Sequence, residues 1–118
     1  MTIRVALFDD VLAARAELFH IPGLEVTVYG DADDACTICL GADGPSVLFM
    51  DYAMGADHVH GAEAIRSLRQ AGYTGRIVAM SSDPRANQEM IDAGANDQIP
   101  KKAMLRSYLV ALGQPNAE

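Results

Sequence analysis

Five short apolar segments recur along this chain with helix-forming stretches between them, and no other feature limits the fold as tightly. They are Ile3–Phe8, Leu24–Tyr29, Val47–Met50, Arg76–Met80 and a weaker one at residues 98–100. The first four are four to six residues long and carry β-branched or aromatic residues, as buried parallel strands do. Strict alternation of strand and helix predicts an α/β fold, a doubly wound parallel sheet with helices on both faces. A chain of 118 residues fits one domain, 1–118, and can bury roughly two-thirds of the surface its unfolded form exposes. The six-residue tail GQPNAE leads to nothing, so the expectation is no output domain.

Local signals place the helices. Asp31 is expected to cap a helix over residues 32–40, with Gly41 as its left-handed stop. Gly61 and Gly72 bracket GAEAIRSLRQAG, in which Ala64, Ile65 and Leu68 share one face. Asp83 followed by Pro84 is a cap and first-position pair for a helix ending at Gly94. A last helix is expected over residues 103–112, stopping at Gly113 and Pro115, and a short first one near residues 11–19.

Composition narrows the function. Nine Lys and Arg against 16 Asp and Glu give a net charge of −7, which would repel a phosphate backbone, so no nucleic-acid partner is expected. The longest apolar run is five residues, residues 108–112, against about 20 for a membrane span. The N-terminus lacks the pattern of a secretory signal, so the expectation is a cytoplasmic protein with no membrane partner. Cys36 and Cys39 are too few for a disulfide framework; their C-x-x-C spacing, placed mid-helix, reads as helix packing.

Ligand sites of doubly wound sheets lie outside the carboxyl ends of the strands. There stand Asp9 and Asp10, then Asp51, then Ser81 and Ser82, then Lys101 and Lys102. Taken singly, each is an ordinary cap, turn or surface residue. Together, three carboxylates at one edge repel one another unless a cation is present. An oxygen-only set suits a hard ion such as Mg²⁺. An ion beside Asp51 would neutralise phosphoryl oxygens while its carboxylate attacks phosphorus, with a serine hydroxyl and a lysine ammonium holding the remaining oxygens.

FDD at the first strand end, LFMDYAM at the third, AMSSD at the fourth and AGANDQIPKK around the fifth resemble the receiver domain of two-component response regulators, across essentially the whole chain. The single-domain, chemotaxis-regulator-like members are the nearest type. The resemblance implies a flavodoxin-like (βα)5 fold with strand order 2-1-3-4-5. It implies Asp51 as phosphoacceptor, Ser81 and Lys101 as the residues acting with it, and Mg²⁺ held by Asp9, Asp10, Asp51 and the Ala53 carbonyl. It also implies a sensor histidine kinase or histidine phosphotransfer protein as donor, an unidentified downstream protein as target, and a monomer or weak homodimer. Such a chain is a signalling module and not an enzyme.

Some positions depart from the family pattern. Gln98 stands where an aromatic switch residue is usual and is expected to face solvent. Lys102 replaces the proline that usually follows the lysine; a cis bond before a non-proline costs about 2.5–4 kcal/mol, so the 101–102 peptide is expected to be trans. The loop DYAMGADHVHG has Gly55 where proline is common, looks about two residues longer than usual, and is expected to contact a partner. Its Asp57, His58 and His60 lack an evident third zinc ligand besides the two histidines. Arg66, Arg69, Arg76 and Arg85 are spread over separate elements and read as a solvated face. Two functions stay open: a stand-alone phosphorylated regulator, and a phosphorylation-independent adaptor or scaffold on the same fold. A small aspartyl phosphatase is a weaker third, because Asp51 is followed by Tyr52 and Ala53 rather than by a D-x-D.

Overall fold

The computed structural model describes residues 2–16, 19–100 and 102–114. Strands β1 (Ile3–Phe8), β2 (Leu24–Tyr29), β3 (Val47–Met50), β4 (Arg76–Met80) and β5 (Asp97–Ile99) form one parallel sheet in the order β2-β1-β3-β4-β5. The helices are α1 (Asp10–Ala14), α2 (Ala35–Cys39), α3 (Gly61–Gln70), α4 (Pro84–Ala93) and α5 (Leu105–Gly113), the last entered through a single 3-10 turn, Lys102–Met104. The expected α/β sheet and strand order are therefore present.

Side chains alternate across each strand and so build two cores. Ala6, Phe8, Leu48, Met50, Ile77 and Ala79 face α2, α3 and α4, where Ile65, Leu68 and Met90 meet them. Val5, Leu7, Phe49, Val78 and Met80 face α1 and α5, where Leu12, Leu105 and Leu109 close the layer. The three central strands are buried on both sides, whereas β2, at the edge and flanked by five-residue helices, is only half covered.

Local departures have local causes. Asp31 does not cap α2: its Oδ1 accepts from the Asp33 N–H at 3.0 Å, closing a turn that delays the helix to Ala35. Gly41 is not left-handed; Leu40 ends the helix at φ −98°. α1 stops at Ala14, followed by Ala16 at φ +52°. β5 begins one residue earlier than expected, and α5 follows the 3-10 turn rather than starting at Ala103. Pro115 lies outside the described residues. Gly72 and Gly94, at φ +100° and +129°, end α3 and α4 as expected.

Candidate functional site

Register brings the acidic residues level. Phe8 pairs with Met50, and the Asp51 N–H donates to the Phe8 carbonyl at 3.0 Å, so Asp9 and Asp51 leave adjacent strands side by side. Carboxylate oxygens of Asp9, Asp10 and Asp51 lie within 4.8 Å of one another. Asp9 is fully buried and Asp51 is 8% exposed.

The two oxygens of Asp9 have different partners. Oδ1 accepts from the N–H groups of Val11 and Leu12 at 2.9 and 3.0 Å and starts α1. Oδ2 is buried and pairs with the Lys102 ammonium, whose Nζ stands 2.7 Å away. Asp51 Oδ1 accepts from the Tyr52 N–H at 2.9 Å, and its Oδ2 is 3.5 Å from the same Nζ. Burial and then the Asp9 charge push the Asp51 carboxyl above its ordinary range, against the pull of Lys102. Burial works against the Lys102 ammonium too, but Asp9 and Asp51 outweigh it and hold its pKa above the usual lysine value.

Among the described residues the ammonium at the carboxylates is that of Lys102; sequence reasoning gave that role to Lys101. Lys101 and its peptide with Lys102 lie outside the described residues. The signal that pointed away from Lys102 was the family spacing; the 3-10 turn that begins at Lys102 was not legible in it. Gly61, read only as a helix start, is a close-approach position. A Cβ there would run into the Asp51 carbonyl oxygen, so only glycine lets α3 begin against the Asp51 backbone.

Ser81 follows β4, its Oγ accepting from the Asp83 N–H at 3.1 Å, while Asp83 caps α4 through the Arg85 N–H. Ala53 is exposed, and its carbonyl accepts no hydrogen bond among the described residues. In the same loop Met54 is buried and Gly55 has φ +114°. His58 and His60 do not converge: His58 Nδ1 lies 2.6 Å from Asp33 Oδ2, while His60 caps α3 and stacks on Tyr52 at 4.8 Å. Tyr52 also donates to Glu89 on α4.

Gln98 is exposed, as expected. Arg69 is not a solvated residue: its guanidinium donates to the carbonyls of Gly94, Tyr73 and Gly75 and to Asn96 Oδ1, tying α3 to the turns that lead into β4 and β5. Cys36 lies in the first turn of α2, not mid-helix. Both cysteines still pack in the core, and burial pushes the Cys39 thiol up to about 12.

Residues 8–112 match the family described as response regulator receiver domain. The chain belongs to that family. Solved receivers share its fold at low identity. A CheY-like receiver domain protein from Methanospirillum hungatei is 15% identical at a TM-score of 0.73, covering 95% of this chain and 91% of that one. A response regulator from Chloroflexus aurantiacus is 20% identical at 0.70, covering 95% and 94%. The chemotaxis protein CheY4 of Vibrio cholerae is 22% identical at 0.65, covering 92% and 97%. No curated protein matches in sequence. Among the described residues no helix is long and apolar enough to cross a membrane.

The acidic set fits a hard divalent ion on its own terms. Its donors are all oxygen, and the buried Asp9 Oδ2 already draws a cation, the Lys102 ammonium at 2.7 Å.

Proposed function

We propose that this receiver domain acts as a response regulator whose Asp51 takes a phosphoryl group from a phosphohistidine on a sensor kinase or phosphotransfer protein. The observation that carries this reading is Asp51 itself, largely buried at a strand end beside two further carboxylates and an ammonium. An oxygen of Asp51 attacks phosphorus, the P–N bond breaks with its electron pair returning to the donor imidazole, and an acyl phosphate forms. Asp9, Asp10, Asp51 and the Ala53 carbonyl would hold Mg²⁺, which supplies neutralisation of phosphoryl charge when bound. The Lys102 ammonium, already 3.5 Å from Asp51 Oδ2, is placed to stabilise charge on a group carried there. Ser81 and Lys101 keep the roles the family pattern gives them, as hydroxyl and second ammonium. The protein works in the cytoplasm and signals to a partner protein by a change of shape.

Intact-protein mass after incubation with acetyl phosphate and Mg²⁺ tests the reading. The expected result is a gain of one phosphoryl group, absent from Asp51→Asn. A mass that never changes supports the second reading, an adaptor independent of phosphorylation. That reading draws on Gln98, exposed where receivers usually place an aromatic ring.

A further inference from the structure

Asn87 is the only polar side chain of α4 that is wholly buried. Its Nδ2 donates to the Ser81 carbonyl at 2.8 Å and to the Ile99 carbonyl at 3.3 Å. Two carbonyl oxygens face the same end of the amide, so only the orientation with nitrogen toward them is compatible with both. Its Oδ1 is buried with no partner among the described residues. An apolar residue of similar size would fill this position without an orphaned oxygen. The tie made by Nδ2 is what the amide adds.

The two carbonyls belong to the two connections that matter most at this edge of the sheet. Ser81 carries the hydroxyl of the proposed site, and Ile99 ends β5, three residues before Lys102. Met80 pairs with Ile99, so the two strand ends are neighbours held by α4 from one side. Gln98 cannot make this link, because its side chain points to solvent.

We propose that Asn87 is a positioning residue that couples the end of β4 to the end of β5, so that a displacement of Ser81 when Asp51 is loaded is passed to the segment bearing Lys102. This rests on Asp51 being the phosphoacceptor. The amide holds one carbonyl on each side, so a shift of the Ser81 backbone either draws the Ile99 carbonyl with it or breaks the longer of the two bonds. In both cases the β5 connection responds.

Hydrogen–deuterium exchange of the full chain, free and loaded with Mg²⁺ and beryllofluoride, tests the coupling, with intact mass after acetyl phosphate as a parallel readout. In wild type, loading is expected to slow exchange in residues 81–84 and in 98–105. In Asn87→Leu the slowing at 81–84 and the Asp51 label persist, whereas the slowing at 98–105 falls at least about threefold. In unloaded protein the same variant exchanges faster at 98–105 and unchanged in β1 and β3, while Gln88→Ala, on the exposed face of α4, matches wild type. Equal protection of 98–105 in Asn87→Leu and wild type overturns the proposal, as does faster exchange spread evenly over the chain. A wild type that takes neither phosphoryl group nor beryllofluoride overturns the phosphoacceptor reading instead. The unloaded comparison then decides the tie by itself, and unchanged exchange at 98–105 overturns it. Should Asn87→Leu not fold, Asn87→Ser, too short to span both carbonyls, gives the same contrast.

Discussion

Two groups of charged side chains sit past the carboxyl ends of neighbouring strands, and they differ chiefly in water. Asp9, Asp10 and Asp51 gather around Lys102, with Asp9 fully buried and Asp51 nearly so. Asp31, Asp33 and His58 gather to within the same 4.8 Å past β2, but every member is more than a third exposed. In the first, burial raises the Asp51 pKa; in the second, the His58 hydrogen bond lowers that of Asp33. Like residue types at like spacing therefore store opposite things: buried carboxylate charge that one ammonium offsets in part in one place, a settled surface pair in the other. Burial, which sequence does not print, separates a site from a latch.

The largest expected effect falls on the buried group. Asp51→Asn is expected to abolish phosphoryl labelling, read by intact mass, because an amide does not attack phosphorus as a carboxylate does. Its stability should move the other way. A carboxyl with a raised folded pKa contributes stability below its unfolded value near 3.8, and that contribution is lost as pH rises through the folded value. At pH 7 without metal, Asp51→Asn should therefore unfold at higher denaturant, by on the order of 1 kcal/mol. A lower midpoint would show that the carboxylates do not strain the fold.

Lys102→Met comes next. Removing the ammonium leaves the buried Asp9 and Asp51 charges opposed by nothing else among the described residues, a loss of about 1–3 kcal/mol once the lysine's partial exposure is discounted. Added Mg²⁺ is expected to restore most of it, since Asp9, Asp10 and Asp51 are the same carboxylates that would hold the ion. A denaturation midpoint equal to wild type in metal-free buffer would mean that Lys102 is a bystander. The contrast between Asp10→Asn and Asp9→Asn sharpens this. With Oδ1 of Asp9 spent on capping α1, Asp10→Asn should weaken Mg²⁺ more in a direct titration.

How much of this was legible in the sequence follows the same divide. Strand positions were readable because burial on both faces writes itself into residue type: IRVALF and VLFM are nearly continuous apolar runs. Asp9, Asp51 and Ser81 were readable because they follow such runs directly. Asp31 was misread as a cap because a turn made by its own side chain is chemically the same signal, an aspartate ahead of a helix. Asn87 was missed, and Arg69 and Lys102 were named without their contacts, for a different reason. Their partners lie far along the chain, in Gly94, Ile99 and Asp9, and only the folded topology brings them together.

The exposed group predicts a pH effect confined to one loop. The His58 pKa is raised above 6.5, chiefly by its hydrogen bond to Asp33, so the stability it adds is full below 6.5 and is lost as pH rises through the folded value. Asp33, with a lowered pKa, keeps its contribution above 3.8 and loses it as pH falls through its folded value. The link from the 53–60 loop to Asp33 is therefore strongest at mildly acid pH. Amide exchange at Val59, whose N–H donates to Asp33 Oδ1 at 3.1 Å, should speed up as pH is raised past the His58 titration, after correction for intrinsic rate. His58→Ala should flatten that profile, and a profile unchanged by His58→Ala would detach the loop from Asp33.

The smallest effect is expected at Gln98. Its side chain is exposed, so Gln98→Ala removes little buried contact and should change affinity for a partner by less than about 1 kcal/mol. The 53–60 loop is different, because Met54 anchors it in the core while Ala53, Gly55, Ala56 and Asp57 present an exposed tip beside Asp51. Backbone NMR of loaded and unloaded protein separates the two routes: shifts across residues 53–60 and the ends of β4 and β5 are expected, with Gln98 moving only as far as its neighbours carry it. Large shifts confined to Gln98, with the loop silent, would mean that the output runs through the β5 surface despite the missing ring.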